Sequence, residues 1–119
     1  MSISTTDIKV GDVLMPLDKI PVVSPHTLFK ETLETMTQYR LGHACIVDED
    51  NRLMGIFTDG DLRRMLLRSQ KPFPAIFSDD IIVHSNQSPT TINSDMLISD
   101  AIQLMEKYEI WDLPVVDEN

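Results

Sequence analysis

Apolar positions in the first half of the chain fall into two periods, and the change between them sets out the elements. Leu28, Phe29, Leu33 and Met36 recur on one helical face, which predicts a helix over about 27–39, with Ser24-Pro25-His26-Thr27 offering cap residues ahead of it. Ile20-Pro21-Val22-Val23 before it is strand-like, and Leu41-Gly42 behind it can stop the helix. Ala44 to Val47 is apolar without alternation, as in a strand covered on both faces. Asp48-Glu49-Asp50-Asn51-Arg52 is the turn that returns the chain into an antiparallel strand from Leu53 to Phe57, and a helix over about 60–68 follows. The result is one β-α-β-β-α unit. Ahead of it, residues 1–9 are polar and expected to fray, while Val10 to Met15 before Pro16 reads as one apolar turn packing as a short lid.

Beyond the connector Lys71-Pro72-Phe73-Pro74 and a polar, irregular stretch from Asp79 to Ser88, broken only by Ile81-Ile82-Val83, the pattern starts again. Thr91-Ile92 is a strand candidate. Leu97, Ala101, Ile102, Leu104 and Met105 form a helical stripe reaching about Tyr108, and Leu113 to Val116 forms a strand. A shift of 69 residues aligns Leu28 with Leu97, Met36 with Met105, Tyr39 with Tyr108, and Val47-Asp48-Glu49 with Val116-Asp117-Glu118. Six identities in register, with a strand and an acidic turn behind each helix, argue for an internal repeat. We divide the chain into a first repeat with its lead-in at 1–70, and a connector with an incomplete second repeat at 71–119. The second copy's counterpart of Gly55 to Asp61 would begin past Asn119, so Leu113 to Val116 is expected to lack a hairpin partner and the chain reads as a fragment. Leu104, Met105, Val115 and Val116 would then be uncovered. We expect a homodimer or larger assembly, with the helices near 27–39 and 96–107 at the interface and Trp111 as its reporter.

Composition narrows the functional classes. At 119 residues and 42% hydrophobic, the chain has the size of one compact domain. Its formal charge of −9 argues against broad docking on nucleic acid or an anionic membrane, so an anionic ligand must find a local basic patch. Such a patch is offered by Arg63, Arg64 and Arg68. Cys45, the single cysteine, lies in the apolar run Ala44 to Val47 and is expected to fill core space, which suits a reducing, cytoplasmic setting. The N-terminus has no targeting pattern and no window is long enough to span a bilayer.

The chemistry gathers where the strand ending at Phe57 runs into the cationic helix. Thr58-x-x-Asp61 is a capping-box pattern, and the unpaired N–H groups of a first helical turn favour phosphate while a carboxylate one turn in can accept from ribose hydroxyls. Mutual capping of Thr58 and Asp61 is the competing reading. Catalysis by Asp59 and Asp61 around a divalent cation lacks a third acid or histidine nearby in sequence. The loop from Asp48 places Arg52 and Leu53 where a calcium ligand and the turn glycine belong. His26, His43 and His84 lack metal-ligand spacing. No metal or permanent cofactor is expected.

A doubled β-α-β-β-α unit whose first copy ends in Gly55-Ile56-Phe57-Thr58-Asp59-Gly60-Asp61-Leu62 resembles a tandem CBS domain pair, a regulatory module built with pseudo-twofold symmetry. Leu113-Pro114-Val115-Val116-Asp117 is similar to the family's strand signature. The longer string to Arg64, with Leu41-Gly42-His43 upstream, resembles the CBS pair at the C-terminus of bacterial arabinose-5-phosphate isomerases, which make the precursor of Kdo for lipopolysaccharide or capsule. A similar string occurs in CBS pairs fused to sugar nucleotidyltransferases. The resemblance implies a non-catalytic module beside a sugar isomerase domain, and a regulatory adenine nucleotide or cytidine-activated sugar as ligand. A third reading is an assembly module without ligand. By resemblance, Thr58 contacts phosphate or ribose and Asp61 the ribose hydroxyls; Asp59 and Arg64, beside them in sequence, are added as candidate ligand residues, Arg64 for its charge. The base lies near Ile20, Ala44 and Cys45.

Overall fold

The computed structural model describes residues 8–68, 72–110 and 112–117, so Trp111, Lys71 and the first seven residues lie outside the described residues. The chain is mixed α/β. In order it forms a 3₁₀ turn at Val10–Asp12 and another at Leu17–Lys19, then strand β1 (Val22–Val23) and helix α1 (Phe29–Tyr39). Strands β2 (His43–Val47) and β3 (Leu53–Thr58) lead into helix α2 (Asp59–Arg68). Two single turns, α3 (Phe73–Ile76) and α4 (Ile81–His84), precede the last helix, α5 (Ile98–Tyr108). The polar stretch after residue 71 is thus more regular than its prolines and short apolar runs suggest.

Among the described residues, those within 16–89 form one compact unit, and those up to 15 together with those from 90 onward form the other. The halves read from the repeat, 1–70 and 71–119, do not follow this division, because each lead-in packs with the body of the other repeat. In the first unit β1 runs parallel to β2, with Val22 opposite Cys45 and Val23 opposite Ile46. β2 pairs antiparallel with β3 from His43–Thr58 to Val47–Leu53. The hairpin turn is set by Asp48, whose Oδ1 accepts the N–H groups of Asp50 (2.8 Å) and Arg52 (2.9 Å) while Asn51 takes φ 64°. The core behind the sheet contains Phe29, Met36, Ala44, Ile46 and Phe57, and Ile76 and Ile81 complete it from the connector.

The connector also finishes α1. Leu28 at the N-cap makes no side-chain cap bond, and Ser24 and Thr27, expected as caps, bond to each other instead. The first N–H groups of α1 are taken by carbonyls: Phe29 donates to Asp79 (2.8 Å) and Lys30 to Phe77 (3.2 Å). At the other end Arg40, with φ 56°, forms the left-handed cap rather than Gly42. α5 repeats both features, with Leu97 at its N-cap and Glu109 at φ 54°.

The repeat extends to individual hydrogen bonds. In the first unit Ile81 donates to Thr27 and Ile82 to Pro25; in the second Val10 donates to Met96 and Gly11 to Ser94. Thr27 and Met96, like Pro25 and Ser94, stand the same 69 residues apart. The parallel bridge between Ile92 and Val115 sits at the same offset from the Val23–Ile46 pair. The second unit packs Val10, Ile92 and Ala101, with Leu104 and Val115 partly buried against them. Leu104, Met105, Val115 and Val116 are half-buried rather than uncovered, Leu104 and Val115 because they pack against Val10, Ile92 and Ala101. Exposed apolar area falls instead on Val13, Leu14 and Met15 and on Ile102 and Tyr108.

On the far edge of the first sheet, Ile56 and Asn86 exchange two backbone hydrogen bonds of 2.9 Å. Gly55 permits this approach: a Cβ there would lie 2.9 Å from the Asn86 carbonyl oxygen and 3.0 Å from Ser85 Oγ.

Candidate functional site

The end of β3 and the start of α2 place Thr58 and Asp61 side by side. Asp61 Oδ2 accepts the Thr58 N–H at 2.9 Å and its hydroxyl at 3.1 Å, and Thr58 Oγ1 accepts the Asp61 N–H at 3.2 Å. This is the capping box in full, so the structural half of the two readings of this pair is present. Asp61 Oδ1 points the other way and accepts from Arg64 Nη2 at 2.7 Å. The Asp61 side chain is 19% exposed and that of Arg64 50%, so the carboxylate keeps an accessible edge. A carboxylate offers about four acceptor positions, and three donors occupy it here.

The other residues singled out in the sequence gather at the same end of the sheet to different degrees. His43 lies opposite Thr58 and Ala44 opposite Phe57, while Cys45 donates its N–H to the Pro21 carbonyl at 3.0 Å. Ile20, Ala44, Cys45 and Thr58 therefore share one sheet end. Ala44 is fully buried and Cys45 is 8% exposed, so a ligand there would meet backbone and the half-buried Ile20 rather than these two side chains. Asp59 is turned onto the loop before β2: its N–H donates to Gly42 (2.9 Å), and a Cβ on Gly42 would come 2.5 Å from Asp59 Oδ2. A side chain at position 42 would oblige the exposed Asp59 carboxylate to shift, so Gly42 serves the seating of Asp59 rather than a helix stop.

An open cleft of about 380 Å³ runs along α2, lined by Asp61, Arg64, Met65, Arg68 and His84. Of the three arginines of α2, Arg64 and Arg68 line it and Arg63 does not. His84 was not expected from the sequence. It arrives on α4, is fixed by a 2.8 Å contact from Nε2 to Asp79 Oδ2, and stands edge-on to Phe29 with ring centroids 5.4 Å apart. His26 contacts Asp80 through Nδ1 at 2.9 Å, so two adjacent carboxylates fasten the connector through imidazoles. Among the described residues no three His, Cys, Asp or Glu side chains are placed to hold a metal ion, and no helix is long and apolar enough to cross a membrane.

A sequence model of the CBS domain matches the chain twice, over residues 10–68 and 78–119. The chain belongs to the CBS domain family, and its two matched segments are a tandem pair. The arabinose 5-phosphate isomerase KdsD of Pseudomonas aeruginosa is 36% identical over 110 residues, which are 92% of this chain and 32% of that one. An uncharacterised protein of Chlamydia trachomatis serovar D is 38% identical over 117 residues, again 92% of this chain and 33% of the other. The chain spans about a third of the length of the curated relatives it matches. Among solved structures, CBSX2 in complex with AMP is similar with a TM-score of 0.80 and 25% identity, over 93% of this chain and 83% of that one.

Proposed function

We propose that this tandem CBS pair is a non-catalytic regulatory module that binds a nucleotide at the corner of β3 and α2. In this reading Asp61 holds the ribose hydroxyls, Thr58 and the first turn of α2 take phosphate or ribose oxygens, and Arg64 supplies positive charge. The base lies against the backbone near Ile20, Ala44 and Cys45. The observation that carries it is the cleft beside Asp61: two guanidinium groups face one carboxylate in a chain of net charge −9, so an anion is attracted here and repelled elsewhere. The AMP complex of a similar CBS pair supports an adenine nucleotide as the first ligand to try. Likeness to KdsD supports a sugar-phosphate isomerase as the parent enzyme, whose feedback ligand would be a cytidine-activated sugar of the Kdo branch, since feedback needs a molecule unlike the substrate. A titration calorimetry series with AMP, CMP and the two nucleosides tests this. Binding of a nucleotide at least about tenfold tighter than its nucleoside is expected, and absence of heat with every member would leave an assembly module in its place.

We also propose that the module self-associates. Tyr39 on α1 and its repeat counterpart Tyr108 on α5 are 41% and 51% exposed, and Ile102 is 48% exposed, which leaves apolar area on the helices that the repeat makes equivalent. Sedimentation velocity should give a dimer or larger species at tens of micromolar, shifted toward monomer by Ile102→Glu. A monomer at that concentration would rule the assembly out.

A further inference from the structure

The face of α2 that lines the cleft says more about the ligand than the Thr58–Asp61 corner does. Asp61, Arg64 and Arg68 stand at i, i+3 and i+7, with Met65 between them, and all four line the cleft. At about 1.5 Å of rise per residue, Asp61 and Arg68 are separated by about 10 Å along the helix axis. Arg64 is engaged by Asp61. Among the described residues Arg68 has no carboxylate within ion-pair distance, and it is exposed. His84 lines the same cleft from α4, its Nε2 held by Asp79. The positive charge of the cleft therefore continues past the reach of a phosphate near Arg64, to a second cation that has no ion-pair partner among the described residues.

We propose that the ligand of this site carries a second anionic group beyond the phosphate next to its ribose, as a nucleoside 5′-diphosphate does, and that Arg68 is the residue that selects it. The inference rests on the reading that Asp61 holds the ribose. With the ribose there and its phosphate between the first turn of α2 and Arg64, only a second anion extends to Arg68. A monophosphate leaves Arg68 in water and gains from it only the screened attraction of its charge. Arg63, on the same helix but outside the lining, gives the comparison for bulk charge.

The test is titration calorimetry of the intact chain with AMP and ADP, and in parallel with CMP and CDP, in wild type, Arg68→Glu and Arg63→Glu. The two arginines are exposed, so the folded state tolerates both changes, checked by circular dichroism. The diphosphate is expected to bind at least about tenfold more tightly than the monophosphate in wild type and in Arg63→Glu. In Arg68→Glu that preference should vanish, with diphosphate affinity falling at least about tenfold further than monophosphate affinity. Equal affinity for mono- and diphosphate in wild type overturns the inference and leaves the nucleotide reading standing. A preference that survives Arg68→Glu, or that Arg63→Glu removes equally, overturns it as well. Failure of all four nucleotides to bind overturns the nucleotide reading, and this inference with it.

Discussion

Replacing Asp61 by alanine is expected to abolish nucleotide binding in calorimetry while lowering the unfolding free energy by only about 1 kcal/mol, the usual size of a helix-start contact. The two effects separate because the carboxylate has two sides. Oδ2 is spent on the N–H and hydroxyl of Thr58, a local contact whose loss frays one turn of α2 and leaves the half-buried Thr58 N–H to find water. Oδ1 is held by Arg64 at 2.7 Å, and alanine removes the one carboxylate that lines the cleft among the described residues. Arg64 is then freed, which raises the attraction for phosphate, so weaker binding in spite of that gain isolates the ribose contact. Unchanged affinity in the folded variant would reduce Asp61 to a cap for α2.

Local pattern carried most of the first unit. The stripe of Phe29, Leu33 and Met36 gives α1, the unbroken apolar run to Val47 gives β2, and Thr58-x-x-Asp61 gives the start of α2. In each case the residues that decide the structure lie within one or two turns of each other. What the sequence hid was set by contacts across 50 residues or so. The caps of α1 are carbonyls of Asp79 and Phe77, which no side-chain preference reveals, and Ile76 and Ile81 read as connector although they are 2% and 0% exposed in the first unit's core. The site divides the same way. Arg64 is legible from its place on α2, whereas His84 is brought to the cleft by an exchanged lead-in. Carrying the repeat back past Leu97 would have found it, since Ile81 and Val10 donate to Thr27 and Met96, residues in equivalent positions.

Phe29→Ala should have the largest effect on stability, about 3–5 kcal/mol. Phe29 is the first residue of α1, wholly buried, and joins three parts of the unit. Its ring stands edge-on to Phe57 of β3 at 5.4 Å, lies roughly parallel to Phe77 of the connector at 6.4 Å, and meets His84 edge-on at 5.4 Å. Its N–H is the one that Asp79 receives. Truncation removes a large transfer term and leaves a cavity that three separate elements would have to move to fill, so collapse is partial and the cost high. Against a total stability of about 5–15 kcal/mol for a domain, such a loss moves the urea midpoint strongly, whereas Leu67→Ala, at an 82% exposed position of α2, should cost less than about 1 kcal/mol. The same ring supports the imidazole that walls the cleft, so Phe29→Leu, which keeps much of the volume, should recover most of the stability and yet loosen His84. A loss in Phe29→Ala no greater than that of Leu67→Ala would show that the connector is not packed on α1 and β3 through this ring.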